Sequence, residues 1–137
     1  MYKLEVVTPE GIVFDDDVYM TVVKTADGEV GILENHMLLL TNVVPGKLEI
    51  YKEEGGEPEL YAVTWGIIDV RGDRVIILVE EVYKVEEIDV EKEEILLKKA
   101  EAKLAEREKL SLKEIEEYER LKERALALLE LAGVKVV

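Results

Sequence analysis

RGDRVIILVEEVYKVEEIDVEKE, residues 71–93, contains within one stretch the change of grammar that divides the chain. Gly72 is the last glycine before Gly133, and no proline follows Pro58, so residues 73–132 hold neither breaker. Val75, Ile77 and Val79 alternate with the two-residue period of a half-buried strand, and the strand from Arg74 to about Glu80 is predicted to end a β-structured part. From Ile88 onward the apolar spacing becomes helical. Asp89 stands where it can cap a helix N-terminus, and Glu91 and Glu93 complement the helix dipole.

Upstream, the same two-residue period recurs at Tyr2, Leu4, Val6; Val18, Met20, Val22; Leu48, Ile50; and Leu60, Ala62. Turn chemistry separates these runs at Thr8-Pro9-Glu10-Gly11, Ala26-Asp27-Gly28, Pro45-Gly46, Glu54-Gly55-Gly56-Glu57-Pro58 and Arg71-Gly72-Asp73. Many short strands at such spacing predict an antiparallel sandwich or barrel. Downstream, a first helix is predicted over about 89–108, with a thin stripe of Ile95, Ala102 and Ala105. Ser111 and Glu114 form a capping box, and Leu110 with Ile115 a hydrophobic staple, so a second helix is predicted to start near Leu112. Its stripe is Ile115, Tyr118, Leu121, Ala125 and Leu128 or Leu129, and Gly133 is a natural stop. The fold expectation is α+β: an N-terminal antiparallel β-sandwich (1–87) followed by a C-terminal antiparallel two-helix hairpin (88–137).

Composition narrows the function. The 137 residues carry 18 basic and 32 acidic side chains, a formal charge of −14, which repels nucleic-acid backbones and anionic membrane surfaces. Residues 1–87 hold 7 basic and 19 acidic side chains, against 11 and 13 in residues 88–137, so the acidic field belongs to the sandwich. Absence of cysteine removes disulfides and thiol chemistry and suits a reducing compartment. No apolar stretch is long enough to span a bilayer, so direct membrane insertion is not expected. His36 is the only histidine and Ser111 the only serine. Neither a zinc site nor a nucleophile constellation can be assembled from them, and His36 reads as a polar loop residue. Asp15-Asp16-Asp17 lacks the spaced ligands of a calcium loop and reads as a solvated acidic turn. Gly28-Glu29-Val30-Gly31 lacks a phosphate-loop pattern and reads as a turn between strands. The chain is expected to be no enzyme and to need no cofactor.

The order of several segments resembles the epsilon subunit of the F-type proton-translocating ATP synthase, counterpart of the mitochondrial delta subunit. Val6-Val7-Thr8-Pro9-Glu10-Gly11-Ile12-Val13-Phe14 looks like that family's opening strand and turn. Gly28-Glu29-Val30-Gly31-Ile32-Leu33, followed by His36 and Leu39, looks like its most recognisable loop. Pro45-Gly46-Lys47-Leu48, Gly66-Ile67-Ile68-Asp69-Val70 and Arg74-Val75-Ile76-Ile77-Leu78 follow in the same order, and Ile88-Asp89 stands where the family turns from sandwich to hairpin. The resemblance implies a non-catalytic rotor subunit on the cytoplasmic face of the bacterial inner membrane. Its sandwich would grip the gamma subunit and the c-ring, and its hairpin would touch the alpha and beta subunits transiently while restraining ATP hydrolysis. Glu29, Gly31, Glu34 and His36 would supply the gamma and c-ring contacts.

In some relatives ATP is a regulatory ligand of the hairpin, and the corresponding positions here are Ile88, Asp89, Lys92 and Arg124. The family pattern places an arginine and an alanine three and four residues after the aspartate; here Lys92 and Glu93 stand there, and Leu128 replaces a second arginine. A carboxylate where a phosphate approaches and a lysine in place of a bidentate arginine predict weak ATP sensing. Glu34-Asn35 replaces Pro-Gly before His36, Leu38 replaces a proline after it, and Trp65 replaces a glycine. The alternative from another class is a free-standing nucleotide- or anion-sensing module.

Overall fold

The computed structural model describes residues 1–35 and 38–135. The chain divides into two compact units, Met1–Val85 and Glu86–Val137. Among the described residues nine strands build the first: β1 (Tyr2–Thr8), β2 (Gly11–Val18), β3 (Met20–Thr25), β4 (Gly28–Leu33), β5 (Leu39–Tyr51), β6 (Glu59–Val63), β7 (Gly66–Arg71), β8 (Arg74–Val79) and β9 (Val82–Lys84). They join in the order β2-β1-β8-β7-β5-β3-β4, with β6 on β5 and β9 on β6. All pairs are antiparallel except β1 with β8.

The long strand β5 makes this one continuous sheet serve as two layers. Its first part, Leu39–Val43, pairs with β7, and its second part, Gly46–Ile50, pairs with β6. The change of partner falls at Val44-Pro45, where proline has no N–H to give to a ladder. Pro45-Gly46 is therefore a crossing point inside a strand, and the turn expected there does not form. Between the layers lie Leu4, Val6, Ile68, Val70, Val75 and Ile77 from one side and Val23, Ile32, Leu48, Ile50 and Val63 from the other, all buried in one cluster.

Several local expectations change. Asp15-Asp16-Asp17 lies within edge strand β2, paired with Glu5, Leu4 and Lys3 of β1, and is no turn. Gly28–Gly31 belongs to edge strand β4. In β3 the buried residues are Thr21, Val23 and Thr25, one step out of phase with Met20 and Val22, because the chain breaks strand at Tyr19 and resumes on the opposite phase. Leu60 is exposed while Ala62 is buried. The sandwich ends one strand later than expected, at β9, whose three residues are too few to leave a period in the sequence.

Thr21 is buried because Tyr2 needs it. The Tyr2 hydroxyl donates toward the Ile32 carbonyl at 2.9 Å and meets the Thr21 hydroxyl at 2.5 Å, tying β1 to the β3–β4 layer. Burial pushes the Tyr2 phenol up to about 12 from its ordinary value of 10.0, with the hydrogen bonds to Thr21 opposing that rise. The phenol stays neutral in the fold after it would ionise in the unfolded chain. Its contribution is complete below pH 10 and is lost as the pH climbs through 12. Tyr2→Phe is expected to lower stability by about 1–2 kcal/mol at neutral pH, since it strands Thr21 and the Ile32 carbonyl. Urea unfolding followed at pH 7 and pH 11 checks this, and the loss on going alkaline should be smaller in the variant.

The second unit holds α1 (Val90–Leu104), a short 3-10 turn (Arg107–Lys109) and α2 (Leu112–Leu131). Asp89 caps α1, its side chain accepting from the Lys92 N–H at 3.1 Å. Ser111 and Glu114 complete the capping box of α2, each side chain accepting from the other's backbone N–H at 3.1 Å. The Ser111 N–H, with its side chain, holds the Glu114 carboxyl below its ordinary value. That capping contribution is present above the ordinary glutamate range and fades as acid protonates Glu114.

The face of α1 differs from the expected stripe. Glu93, Leu97 and Ala100 are its buried residues, whereas Ile95 is 61% exposed, and Ala102 and Ala105 are also exposed. The α1 helix also stops at Leu104 and gives way to the 3-10 turn, four residues short of the expected end. On α2 the expected stripe holds, with Ala125, Leu128 and Leu129 buried and Ile115, Tyr118 and Leu121 half-buried; Arg124 is buried beside them.

Candidate functional site

The described residues expected to contact neighbours are spread along β4 and into the turn that follows it. Glu29 and Gly31 sit on β4, which pairs only with β3 and so leaves one backbone edge unpaired within the described sheet. Glu29 stands opposite Lys24 and Gly31 opposite Val22. Both are exposed. Glu34 lies in the turn after β4 and receives the N-terminal ammonium of Met1 at 3.2 Å across exposed surface. Asn35, the next residue, has φ of 61°, a left-handed conformation that asparagine tolerates better than most residues. His36 lies outside the described residues. Glu29 and Gly31 thus share one edge, with Glu34 in the turn beyond it, and the segment expected to be a loop turns out to be mostly strand.

Of the four residues of the nucleotide motif, Ile88 and Asp89 precede α1, Lys92 lies in its first turn and Arg124 lies on α2. Ile88 is half-buried before the α1 cap, Asp89 is occupied as that cap, and Lys92 is exposed. Arg124 pairs with Glu93. Its Nη1 donates to Oε1 at 2.6 Å and its Nη2 to Oε2 at 3.3 Å, with Glu93 3% and Arg124 9% exposed. This is the fork geometry in which a guanidinium grips a carboxylate or a phosphate. Glu93 is the residue that the sequence reading placed as an obstacle to phosphate; the structure makes it the partner of the arginine. An acidic residue at a buried helical spacing, facing a buried arginine on the next helix, is the signal that could have revealed it. Among the described residues no group of three or more His, Cys, Asp or Glu is arranged to hold a metal ion, and no helix is long and apolar enough to cross a membrane.

Residues 1–85 match the family model described as ATP synthase, Delta/Epsilon chain, beta-sandwich domain. The chain belongs to that family. An ATP synthase epsilon chain of Persephonella marina is 71% identical over 136 residues, covering 99% of both chains. One from a Sulfurihydrogenibium species is 59% identical over 136 residues, 99% of this chain and 100% of that one. A solved structure of Euglena gracilis mitochondrial ATP synthase, comprising OSCP, F1 and c-ring, contains a chain that superposes with a TM-score of 0.67 at 25% identity, covering 96% of this chain and 77% of that chain. Membership makes this chain a non-catalytic, peripheral subunit of ATP synthase, with a β-sandwich followed by two helices. The likeness to the Persephonella and Sulfurihydrogenibium chains runs through both units, so the helices belong to the shared architecture as much as the sandwich does.

Proposed function

We propose that the chain is the rotor subunit that joins gamma to the c-ring at the cytoplasmic face of the membrane, so that c-ring rotation reaches the catalytic head without slippage. The sandwich, residues 1–87, is the adhesive part, and residues 88–137 form a regulatory hairpin. The observation that carries this reading is the β4 edge: Glu29 and Gly31 lie on an open strand edge and Glu34 in the turn that follows it, a surface suited to a neighbour's backbone and to basic loops. Co-expression with the gamma subunit of the same complex, followed by size-exclusion chromatography, tests it. A stable heterodimer that captures detergent-solubilised c-ring is expected, and a chain that elutes alone overturns it.

The hairpin regulates without ATP. With Arg124 held by Glu93 in a buried fork, an incoming phosphate must displace a carboxylate already at hydrogen-bonding distance. Calorimetry with Mg-ATP on the intact chain is expected to show no binding at ligand concentrations up to about 1 mM, where a Kd would correspond to only about 4 kcal/mol of affinity. Saturable heat in the micromolar range would favour the alternative, a nucleotide-sensing module.

A further inference from the structure

Two turns of the first unit are built on one pattern. In Thr8-Pro9-Glu10-Gly11 the Thr8 hydroxyl accepts from the Glu10 N–H at 3.2 Å and donates to the Gly11 carbonyl at 3.4 Å. In Thr25-Ala26-Asp27-Gly28 the Thr25 hydroxyl accepts from the Asp27 N–H at 3.2 Å and donates to the Gly28 carbonyl at 2.7 Å. Both glycines have positive φ, 124° at Gly11 and 112° at Gly28, which glycine adopts without steric cost. At the step before the glycine the turns differ by one methylene, glutamate in the first and aspartate in the second. That methylene decides which turn can modify itself. Asp27-Gly28 is the only Asp-Gly or Asn-Gly step in the 137 residues, and both of its residues are exposed. Apart from its chain neighbours, nothing lies within 4 Å of the place a Gly28 Cβ would take. Among the described residues no hydrogen bond or ion pair holds the Asp27 carboxylate. The two Thr25 bonds use the Asp27 N–H and the Gly28 carbonyl, and neither uses the Gly28 nitrogen.

We infer that Asp27 is a site of spontaneous isomerisation to isoaspartate and that the conversion disables the β4 edge, the second part resting on the stalk role proposed above. The Gly28 nitrogen attacks the Asp27 Cγ, and the proton of that nitrogen leaves with a carboxyl hydroxyl as water, closing a five-membered succinimide. Groups held together in one chain react without a collision partner, and Glu10 would have to close a six-membered ring instead. Water then adds at either ring carbonyl. Addition at Cγ breaks the new bond and restores aspartate. Addition at the former backbone carbonyl breaks the original peptide bond, so the chain runs on through Cγ and the α-carboxylate stands free. One water leaves and one enters, so mass and charge are unchanged and the backbone is longer by one methylene. In a hairpin the turn sets the register. The added methylene falls between Thr25 and Gly28, which pair at the end of the β3–β4 ladder, and inside the loop closed by the Thr25 hydroxyl. Lys24 with Glu29 and Val22 with Gly31 lie next along that ladder. Within the described sheet β4 pairs only with β3, so no second strand holds Glu29 and Gly31 in place when the turn shifts.

The test incubates the folded chain for weeks below its unfolding temperature and then labels it with protein isoaspartate methyltransferase, which esterifies the free α-carboxylate. Label that grows with time on the peptide holding Asp27, and is absent from the peptide holding Glu10, is expected. Asp27→Glu and Asp27→Ser should stay folded by circular dichroism and take no label there. Label that forms at Asp27 only in chain unfolded by urea shows that the folded turn protects it and overturns the inference, as does label that gathers on other peptides instead. Binding to the gamma subunit reads the consequence. The converted chain is expected to bind about tenfold more weakly or worse, while aged Asp27→Glu binds as fresh chain does. Unaltered affinity of the converted chain, or an equal loss in aged Asp27→Glu, overturns the link to the β4 edge and leaves the stalk role standing. No complex with fresh, unaltered chain overturns the stalk role itself, and the labelling result then stands apart from it.

Discussion

Gly66→Ala is expected to destabilise the sandwich by about 3 kcal/mol or more, enough to leave much of the chain unfolded at moderate temperature. A Cβ built on Gly66 falls 1.9 Å from the Leu78 carbonyl oxygen and 2.7 Å from the Val79 Cα. Both atoms are backbone, so no side chain can rotate away. Gly66 opens β7, pairing with Val79 of β8 on one side and Val43 of β5 on the other. To admit one methyl group, β7 and β8 must part where Ile68, Ile77 and Val79 enter the core. Its conformation is not the reason, because Gly66 is not among the glycines with positive φ. Gly31→Ala is the control: nothing lies within 4 Å of the added atom, and a change within about 0.5 kcal/mol is expected. Urea midpoints of the two variants decide the matter, and equal midpoints would remove close approach as the reason for glycine at position 66.

What the sequence made legible follows from how each element is specified. The strands with a single buried face, such as β8 with Val75, Ile77 and Val79, repeat every second residue and could be read directly. So could the start of α2, because Ser111 and Glu114 satisfy each other through local spacing alone. Features set by distant partners were hidden. Pro45-Gly46 carries turn residues, yet the chain runs straight through because two different strands, β7 and β6, take up the halves of β5. Thr21 counts as polar in any pattern and is buried only because the Tyr2 hydroxyl arrives from β1. The acidic run at residues 15–17 looks like a turn until Lys3 and Glu5 are seen opposite it. Likewise the segment holding Glu29 and Gly31 reads as a loop and folds as a strand, since two glycines in four positions mask the strand that β3 imposes.

The same blindness to partnered charge misplaced the face of α1, and there it bears on how the hairpin holds together. Glu93, Leu97 and Ala100 recur at steps of four and three and form its buried side, but a pattern that treats every glutamate as solvent-facing starts the stripe at Ile95 instead. The apolar part of the seam is small: Leu97, Ala125 and Leu129, with Val90, Leu126 and Val134 packed against them. A buried ion pair inside so small a core adds little net stability over apolar residues of the same size, because both ions lose their water. It does fix register, since Glu93 and Arg124 meet at only one alignment of α1 on α2. Glu93→Ala and Arg124→Ala are each expected to destabilise the hairpin by about 3 kcal/mol, by leaving one buried charge stripped of its bidentate partner. Glu93→Met combined with Arg124→Leu should recover most of that loss, and an interaction term of this size is expected for groups in direct contact. The readout is amide hydrogen exchange, because a chain of two units has no single unfolding free energy. Protection of the α1 and α2 amides should collapse in each single variant and return in the double, while the β7 and β8 amides hold throughout. If Glu93→Ala kept full protection in α1, the fork would be ornamental and Leu97, Ala125 and Leu129 alone would hold the hairpin.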